Sequence, residues 1–298
     1  MAVVVLTGCN SGFGRAAAIA FGRRGDTVYG TARSLQRAQS LLAQARRENL
    51  NLHVKILDLT RPDLFGDFIA EVAQEAGRID VLVNNAGVLY PGAWEDLSEA
   101  DIREVMETNF FGPMLLTRAV LPQMRQQLGG CVIMISSLSG LAGLAGDVCY
   151  SASKFALEGA TEALRHEVDR WGIRVALVEA GAYETNLLPS TDTLPANYPR
   201  DSPYRPLIER KLREISSRRG SLPPPDLVGE LLPVIADGDG SRLRWPADDT
   251  AAQVIDKLLQ LSDAQRDEYL REVGNSDWWS RMPGAVSPVD DGPGPQPK

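Results

Sequence analysis

"AVVVLTGCNSGFG" spans Ala2 to Gly14: an apolar, β-branched run that breaks at Thr7-Gly8 and leads through three glycines into a stretch of helical periodicity. A short continuous apolar run closed by turn residues predicts a strand buried on both faces. The glycines of the turn, Gly8, Gly12 and Gly14, lack the Cβ atoms that would hinder a tight bend. A backbone that bends this way can approach a pyrophosphate seated at the positive end of the following helix. An ordinary glycine-rich strand-to-helix turn has the same composition, so the rest of the chain must decide between the two.

Working outward, the same kind of run recurs as "DTVYGTA" (26–32), "LHVKILD" (52–58), "IDVLVNNAG" (79–87), "CVIMISS" (131–137) and "IRVALVEAG" (173–181). Helical spacing falls between them, over Gly12 to Arg24, Leu35 to Glu48, Asp63 to Ala76, Ala100 to Leu128 and Tyr150 to Trp171. Strict β/α alternation predicts an α/β doubly wound Rossmann fold with its ligand site beyond the carboxyl ends of the strands. "RLRWP" (242–246), after helices near Pro206 to Arg218 and Asp226 to Ala236, supplies the last strand of a seven-stranded parallel sheet with helices on both faces. Residues 1–275 are expected to form one such domain. Within it, the Pro-, Ser- and Arg-rich stretch 184–225 is expected to be a substrate lid, and 248–275 a C-terminal helical extension. The Pro/Gly-rich residues 283–298 read as a disordered tail.

A net charge of −8 without a basic block argues against nucleic acid or an anionic membrane as partner. No signal peptide and no membrane span is visible, so a cytoplasmic protein is expected. Cys9, Cys131 and Cys149 lack C-x-x-C spacing and read as free thiols. His53 and His166 have no evident nucleophilic partner, no G-x-S-x-G elbow occurs, and no metal site is expected.

"YSASKFALEGATEAL" (150–164) carries the chemistry. Residues four apart share a helix face, so Tyr150 and Lys154 converge on one point. Free tyrosine, with a pKa of about 10, is a poor proton carrier at neutral pH, and a neighbouring ammonium together with a cationic nicotinamide would favour its phenolate. A snorkelling lysine at an amphipathic helix end would look the same in isolation. The surrounding motifs separate the readings. T-G-x-x-x-G-x-G at Thr7 to Gly14, N-N-A-G at Asn84 to Gly87, Asn109, Ser136-Ser137 and Y-x-x-x-K at Tyr150 to Lys154 occur in that order. The sequence thereby resembles the short-chain dehydrogenase/reductase family over residues 2 to 186, in texture most like its hydroxysteroid and retinol dehydrogenase-like members.

The resemblance implies a catalytic tetrad. Ser137 would hydrogen-bond the substrate oxygen, with Ser136 and Ser139 as alternatives. Tyr150 would be the general acid or base, Lys154 would also bind the nicotinamide ribose, and Asn109 would hold a water of a proton relay. For the cofactor it implies the loop residues Gly8, Asn10, Ser11, Gly12, Phe13 and Gly14. It adds Asp58 and Leu59 after the third strand, and Asn85, Ala86 and Gly87 after the fourth. Gly181, Tyr183 and Thr185 follow after the sixth, where the usual P-G-x-x-x-T reads Ala180-Gly181-Ala182-Tyr183-Glu184-Thr185.

"VYGTARS" (28–34) ends the second strand without an acid to hold a ribose 2′-hydroxyl, while Arg33, and more weakly Arg37, can pair with a 2′-phosphate. NADP(H) is therefore favoured over NAD(H), although Ser11 stands where many NADP-selective relatives carry a basic residue. The stretch "LSGLAGLAGDVC" (138–149) has one charge, Asp147, which suits a lipophilic ketone or secondary alcohol. Trp94, Leu138, Leu144, Cys149, Tyr183 and Leu187 are the candidate walls. Ala156, Leu157, Ala160, Ala163 and Leu164 suggest a homodimer or homotetramer. A catalytically silent NAD(P)-binding sensor or scaffold is the alternative function, disfavoured because such a protein has no use for a proton-transfer tyrosine.

Overall fold

A computed structural model describes residues 1–188, 194 and 198–280. Its centre is a parallel sheet of seven strands in the order β3-β2-β1-β4-β5-β6-β7. The strands are β1 Val3–Leu6, β2 Thr27–Ala32, β3 Leu52–Ile56, β4 Val81–Asn84, β5 Gly130–Ile135, β6 Ile173–Glu179 and β7 Arg244–Pro246. β1 shows why neither face of the central strands meets water. Val4 and Leu6 pack into one core with Ala17, Phe21 and Leu232, while Val3 and Val5 pack into another with Leu82, Leu116 and Leu157. Period-two alternation with apolar residues at every position needs helices on both sides.

Those helices are α1 Gly12–Arg23, α2 Gln39–Arg47, α3 Phe65–Ala76, α4 Glu99–Met106, α5 Gly112–Gln127 and α6 Val148–Val168. The last crossover, from β6 to β7, carries α7 Arg205–Arg218 and α8 Asp226–Asp237, and α9 Asp249–Gln260, α10 Asp263–Val273 and α11 Asp277–Ser280 follow β7. Three expected helices begin or end in a 3-10 turn instead, at Leu35–Ala38, Pro62–Leu64 and Asp169–Trp171. The helix expected over Ala100 to Leu128 is interrupted by a π turn, Glu107–Phe111, that joins α4 to α5. α11 was not foreseen: its Trp278 and Trp279 pack on Tyr198, Leu207 and Leu212 of the segment after β6.

Strand order reverses between β1 and β4, which places the loops that leave these two strands face to face at the carboxyl edge. The segment after β6 covers the neighbouring ground. Tyr198 and Ser202 both donate to Asp96 Oδ2 at 2.6 Å, and Lys211 of α7 meets Asp147 at 2.5 Å. Residues 283–298, expected to be a tail, lie outside the described residues.

Candidate active site

The glycine loop leaves β1 with Gly8 at φ +70° and enters α1 with Gly12 at φ +51°. Gly14 is required by contact rather than by dihedral, since a Cβ there would lie 2.2 Å from the Gly8 carbonyl oxygen and 2.5 Å from Asn85 Nδ2. Asn85 braces the loop: its Nδ2 donates to the carbonyls of Thr7 and Gly8 at 2.8 and 3.2 Å. Thr7 Oγ1 in turn accepts from the backbone of Asn85 and Ala86 at 2.9 and 3.1 Å. The first turn of α1 holds no acidic residue, and the Ser11 side chain makes no capping hydrogen bond. Half-buried Asn10, Ser11 and Phe13 thus present a helix start that fits a pyrophosphate.

Thr185 closes the loop from the other side, its methyl 3.3 Å from where a Gly12 Cβ would stand. Gly181 is exposed beside the half-buried Leu138. Asp58 Oδ1 accepts from the backbone and hydroxyl of Thr60, which fixes the turn after β3. The Leu59 side chain is core, leaving only its backbone for a ligand. Half-buried Gly87 abuts the Asn109 carboxamide. Arg33 and Arg37 are exposed, and the Arg33 guanidinium has no hydrogen bond or ion pair among the described residues. Sequence reasoning missed its neighbourhood. The Tyr90 hydroxyl donates to Glu104 Oε2 at 2.8 Å, and the Arg33 charge opposes the rise to about 12 that burial and Glu104 impose on this phenol.

At the ends of β5 and α6 the expected tetrad assembles. Tyr150, Lys154 and Asn109 are buried, and Ser137 nearly so. Ser137 lies close enough to Tyr150 to oppose the rise in its pKa. The Ser137 hydroxyl oxygen accepts from the Ser139 backbone at 3.1 Å. Ser136, one of the alternatives, turns away toward Glu158. Lys154 Nζ donates to the Ile135 carbonyl at 2.7 Å and lies 5.7 Å from the Tyr150 ring centroid. Asn109 sits in the π turn, a local widening common at functional positions. Its carboxamide exchanges hydrogen bonds with the Val88 backbone, 2.9 Å each way, and donates to Ser153 Oγ at 3.1 Å. Ser153 Oγ donates to the Tyr150 carbonyl at 2.7 Å, so Asn109 ties the β4 loop to α6.

The protein's own groups keep the phenol protonated. Burial pushes Tyr150 up to about 12, Asp147 adds to the rise, and Ser137 opposes it. Burial also brings the Lys154 ammonium down to about 8. Among the protein's own groups, Tyr150 is therefore a neutral proton donor at pH 7.

Two candidate walls are corrected. Tyr183 is 2% exposed, packs edge-on against Phe13 at 5.0 Å and donates to Asp248 at 2.5 Å, so its side chain belongs to the core. Cys149 is buried among Leu97, Val105 and Ile102. Trp94 and Leu187 are exposed, and Leu138 and Leu144 half-buried, so these four remain available to a substrate. The buried Leu157 and Leu164 serve the core beneath α6, not its outer face. His53 stacks on Tyr29 and His166 is exposed, both away from the tetrad. No cluster of metal-ligating residues occurs among the described residues. No helix among them is long and apolar enough to cross a membrane.

A parallel sheet with a glycine loop at its switch point and a Ser-Tyr-Lys cluster beside it defines a dinucleotide-binding oxidoreductase class. The short chain dehydrogenase family model matches residues 2–194, and the chain belongs to that family. It is thus an NAD(P)-dependent enzyme that acts on CH–OH or C=O groups. Its relatives include an uncharacterized oxidoreductase, YusZ, of Bacillus subtilis, 35% identical over 82% of this chain and 88% of the other. The 3-ketodihydrosphingosine reductase of Bacteroides thetaiotaomicron is 38% identical over 61% of this chain and 64% of that one. A short-chain dehydrogenase structure from Streptomyces avermitilis matches with TM-score 0.74 and 34% identity, covering 94% of this chain and 97% of that one. A metagenomic short-chain oxidoreductase in complex with NADP matches with TM-score 0.65 and 26% identity, covering 82% and 96%.

Proposed function

We propose that this enzyme is an NADP(H)-preferring reductase of a bulky, lipophilic ketone, interconverting it with the secondary alcohol through Tyr150 as general acid and base. The observation that carries the reading is the buried cluster of Ser137, Tyr150 and Lys154, in which burial keeps the Tyr150 phenol protonated and Lys154 Nζ lies 5.7 Å from its ring. Bound nicotinamide supplies the hydride. Ser137 donates to the substrate oxygen and orients it; Tyr150 gives that oxygen its proton as negative charge develops there. The Lys154 ammonium offsets the phenolate left behind and holds the ribose. Gly8, Gly12, Gly14 and the start of α1 hold the pyrophosphate, and Arg33 pairs with the 2′-phosphate.

A protonated tyrosine at rest favours the reductive direction, since reduction consumes a proton at oxygen. The ketone named for the Bacteroides relative, carried on a long-chain base, supports a lipophilic substrate. So do the exposed Trp94 and Leu187, the latter in the stretch after β6, whose described residues 198–218 serve as part of a lid. Exposed Phe111 on the π turn and Phe155, Ala152, Gly159 and Ala163 on α6 form the face for a homodimer or homotetramer in the cytoplasm. The deciding experiment follows NADPH and NADH oxidation against long-chain 3-keto bases, steroids, retinoids, terpenoids and aryl ketones. Faster turnover with NADPH on a bulky ketone is expected. Cofactor binding without turnover on any of these would instead favour a silent sensor.

A further inference from the structure

One turn beyond Lys154 on α6 stands a carboxylate that the proposed reaction does not use. Glu158 is 4% exposed, and Glu179, at the end of β6, is 0% exposed. None of their four carboxylate oxygens has a hydrogen bond of good geometry, nor has the buried Ser136 Oγ beside them. Gly140 makes the approach possible: a Cβ there would lie 2.9 Å from Ser136 Oγ, 3.0 Å from Glu158 Cγ and 3.2 Å from the Lys154 carbonyl oxygen. Among the described residues, the guanidinium that meets both is Arg244 of β7, 3.2 Å from Glu158 Oε2 and 3.5 Å from Glu179 Oε1. Arg244 also pairs with the exposed Glu162 at 2.9 Å, so one cation is divided among three carboxylates.

Two unsolvated carboxylates with a shared, partly exposed counter-ion cannot both ionise cheaply, and the pair titrates as a unit. The remaining cation on this side of the helix is Lys154, itself buried, with one N–H spent on the Ile135 carbonyl. We propose that Glu158 is a positioning residue that keeps Lys154 an ammonium in its buried site, while Glu179 and Arg244 set how much negative charge Glu158 carries. Around Lys154, Tyr150 shares its helix and is neutral, and β5 offers the Ile135 carbonyl; Glu179 of β6 and Arg244 of β7 meet Glu158's side of the cluster through Arg244. Burial draws Lys154 down to about 8, and Glu158 is the group that opposes the fall. Burial also raises Glu158, and burial followed by repulsion from Glu158 brings Glu179 to about 7. Of the two carboxylates, Glu158 is the one a single helical turn from Lys154 on α6.

The consequence for turnover rests on the role proposed above for Lys154, but the test does not. The chain has five lysines, Lys55, Lys154, Lys211, Lys257 and Lys298, so ε-13C-lysine labelling of the full-length protein gives a simple spectrum, with Lys154 assigned by its loss in Lys154→Arg. In the Glu158→Gln protein the Lys154 midpoint should fall by roughly one pH unit. Glu158→Asp should recover most of that fall, and Glu179→Gln, which leaves Glu158 charged, should move the midpoint far less. A Lys154 titration in Glu158→Gln that superimposes on the wild type overturns the proposal, as does an equal fall in Glu179→Gln. A protein inactive on every ketone yet showing these shifts would sink the proposed reaction and leave this inference standing.

Discussion

Replacing Lys154 by Met keeps the length of the stem and removes the buried ammonium. A lysine whose ordinary value of 10.5 is lowered to about 8 in the folded protein is held in its charged form at a cost. Because the folded value lies below the unfolded one, protonation favours the unfolded chain. The penalty is complete below about pH 8, shrinks as pH rises toward 10.5 and is gone above it. The gap of about 2.5 units corresponds to roughly 3 kcal/mol. Methionine also strands the Ile135 carbonyl that Lys154 now satisfies, a loss of about 1–3 kcal/mol in the opposite direction. That second contribution changes with pH by about 1 kcal/mol at most, since the neutral amine still donates to the carbonyl, though more weakly than the ammonium. The rise of Tyr150 toward about 12 is common to both proteins and cancels in the difference.

The comparison is therefore a difference of differences: urea unfolding of wild type and Lys154→Met, each at pH 7 and at pH 10. Wild type should gain stability relative to the variant by about 2–3 kcal/mol across that interval. A stability difference that stays constant to within about 0.5 kcal/mol would refute the claim that Lys154 is a desolvated cation, and the argument for Glu158 would fall with it.

Three further outcomes are expected. Tyr150→Phe should remove essentially all turnover while NADPH affinity, read from nicotinamide fluorescence, stays within about threefold, because the phenol supplies the proton and not the binding. Arg33→Ala should weaken NADPH by about 10- to 100-fold and NADH hardly at all in the same titration, as expected for one lost charge-assisted contact to a 2′-phosphate; equal losses would remove the assignment. Gly14→Ala forces a Cβ to within 2.2 Å of a backbone carbonyl, so thermal unfolding should show a loss of at least about 2 kcal/mol, with cofactor affinity falling alongside it.

The parts of this molecule that were legible in the sequence share a cause: they are local. β1 and the strands after it announce themselves because a strand buried on both faces must be apolar at every position, and Tyr150 and Lys154 share a helix face by spacing alone. The glycine loop was readable in the same way, since Gly8, Gly12 and Gly14 answer to backbone bends a few residues apart. Helix ends were less so. Leu35–Ala38 and Pro62–Leu64 carry helical spacing but turn as 3-10 segments, and the π turn around Asn109 leaves no mark in the periodicity.

What stayed hidden depends on tertiary approach. Tyr183 and Cys149 looked like pocket walls because they flank the site in sequence; Phe13, Asp248 and the α4 residues that claim them arrive from elsewhere. Nothing in the sequence singles out Glu158 on its helix or Glu179 at its strand end. Their meeting depends on β6 lying next to β7, on α6 crossing that edge, and on Gly140 being small enough to let them close. A buried carboxylate that serves an active site through a lysine thus has no motif of its own. It becomes visible only when burial and partners are known together, and for that reason the charge state of Lys154 is the most informative quantity to measure in this enzyme.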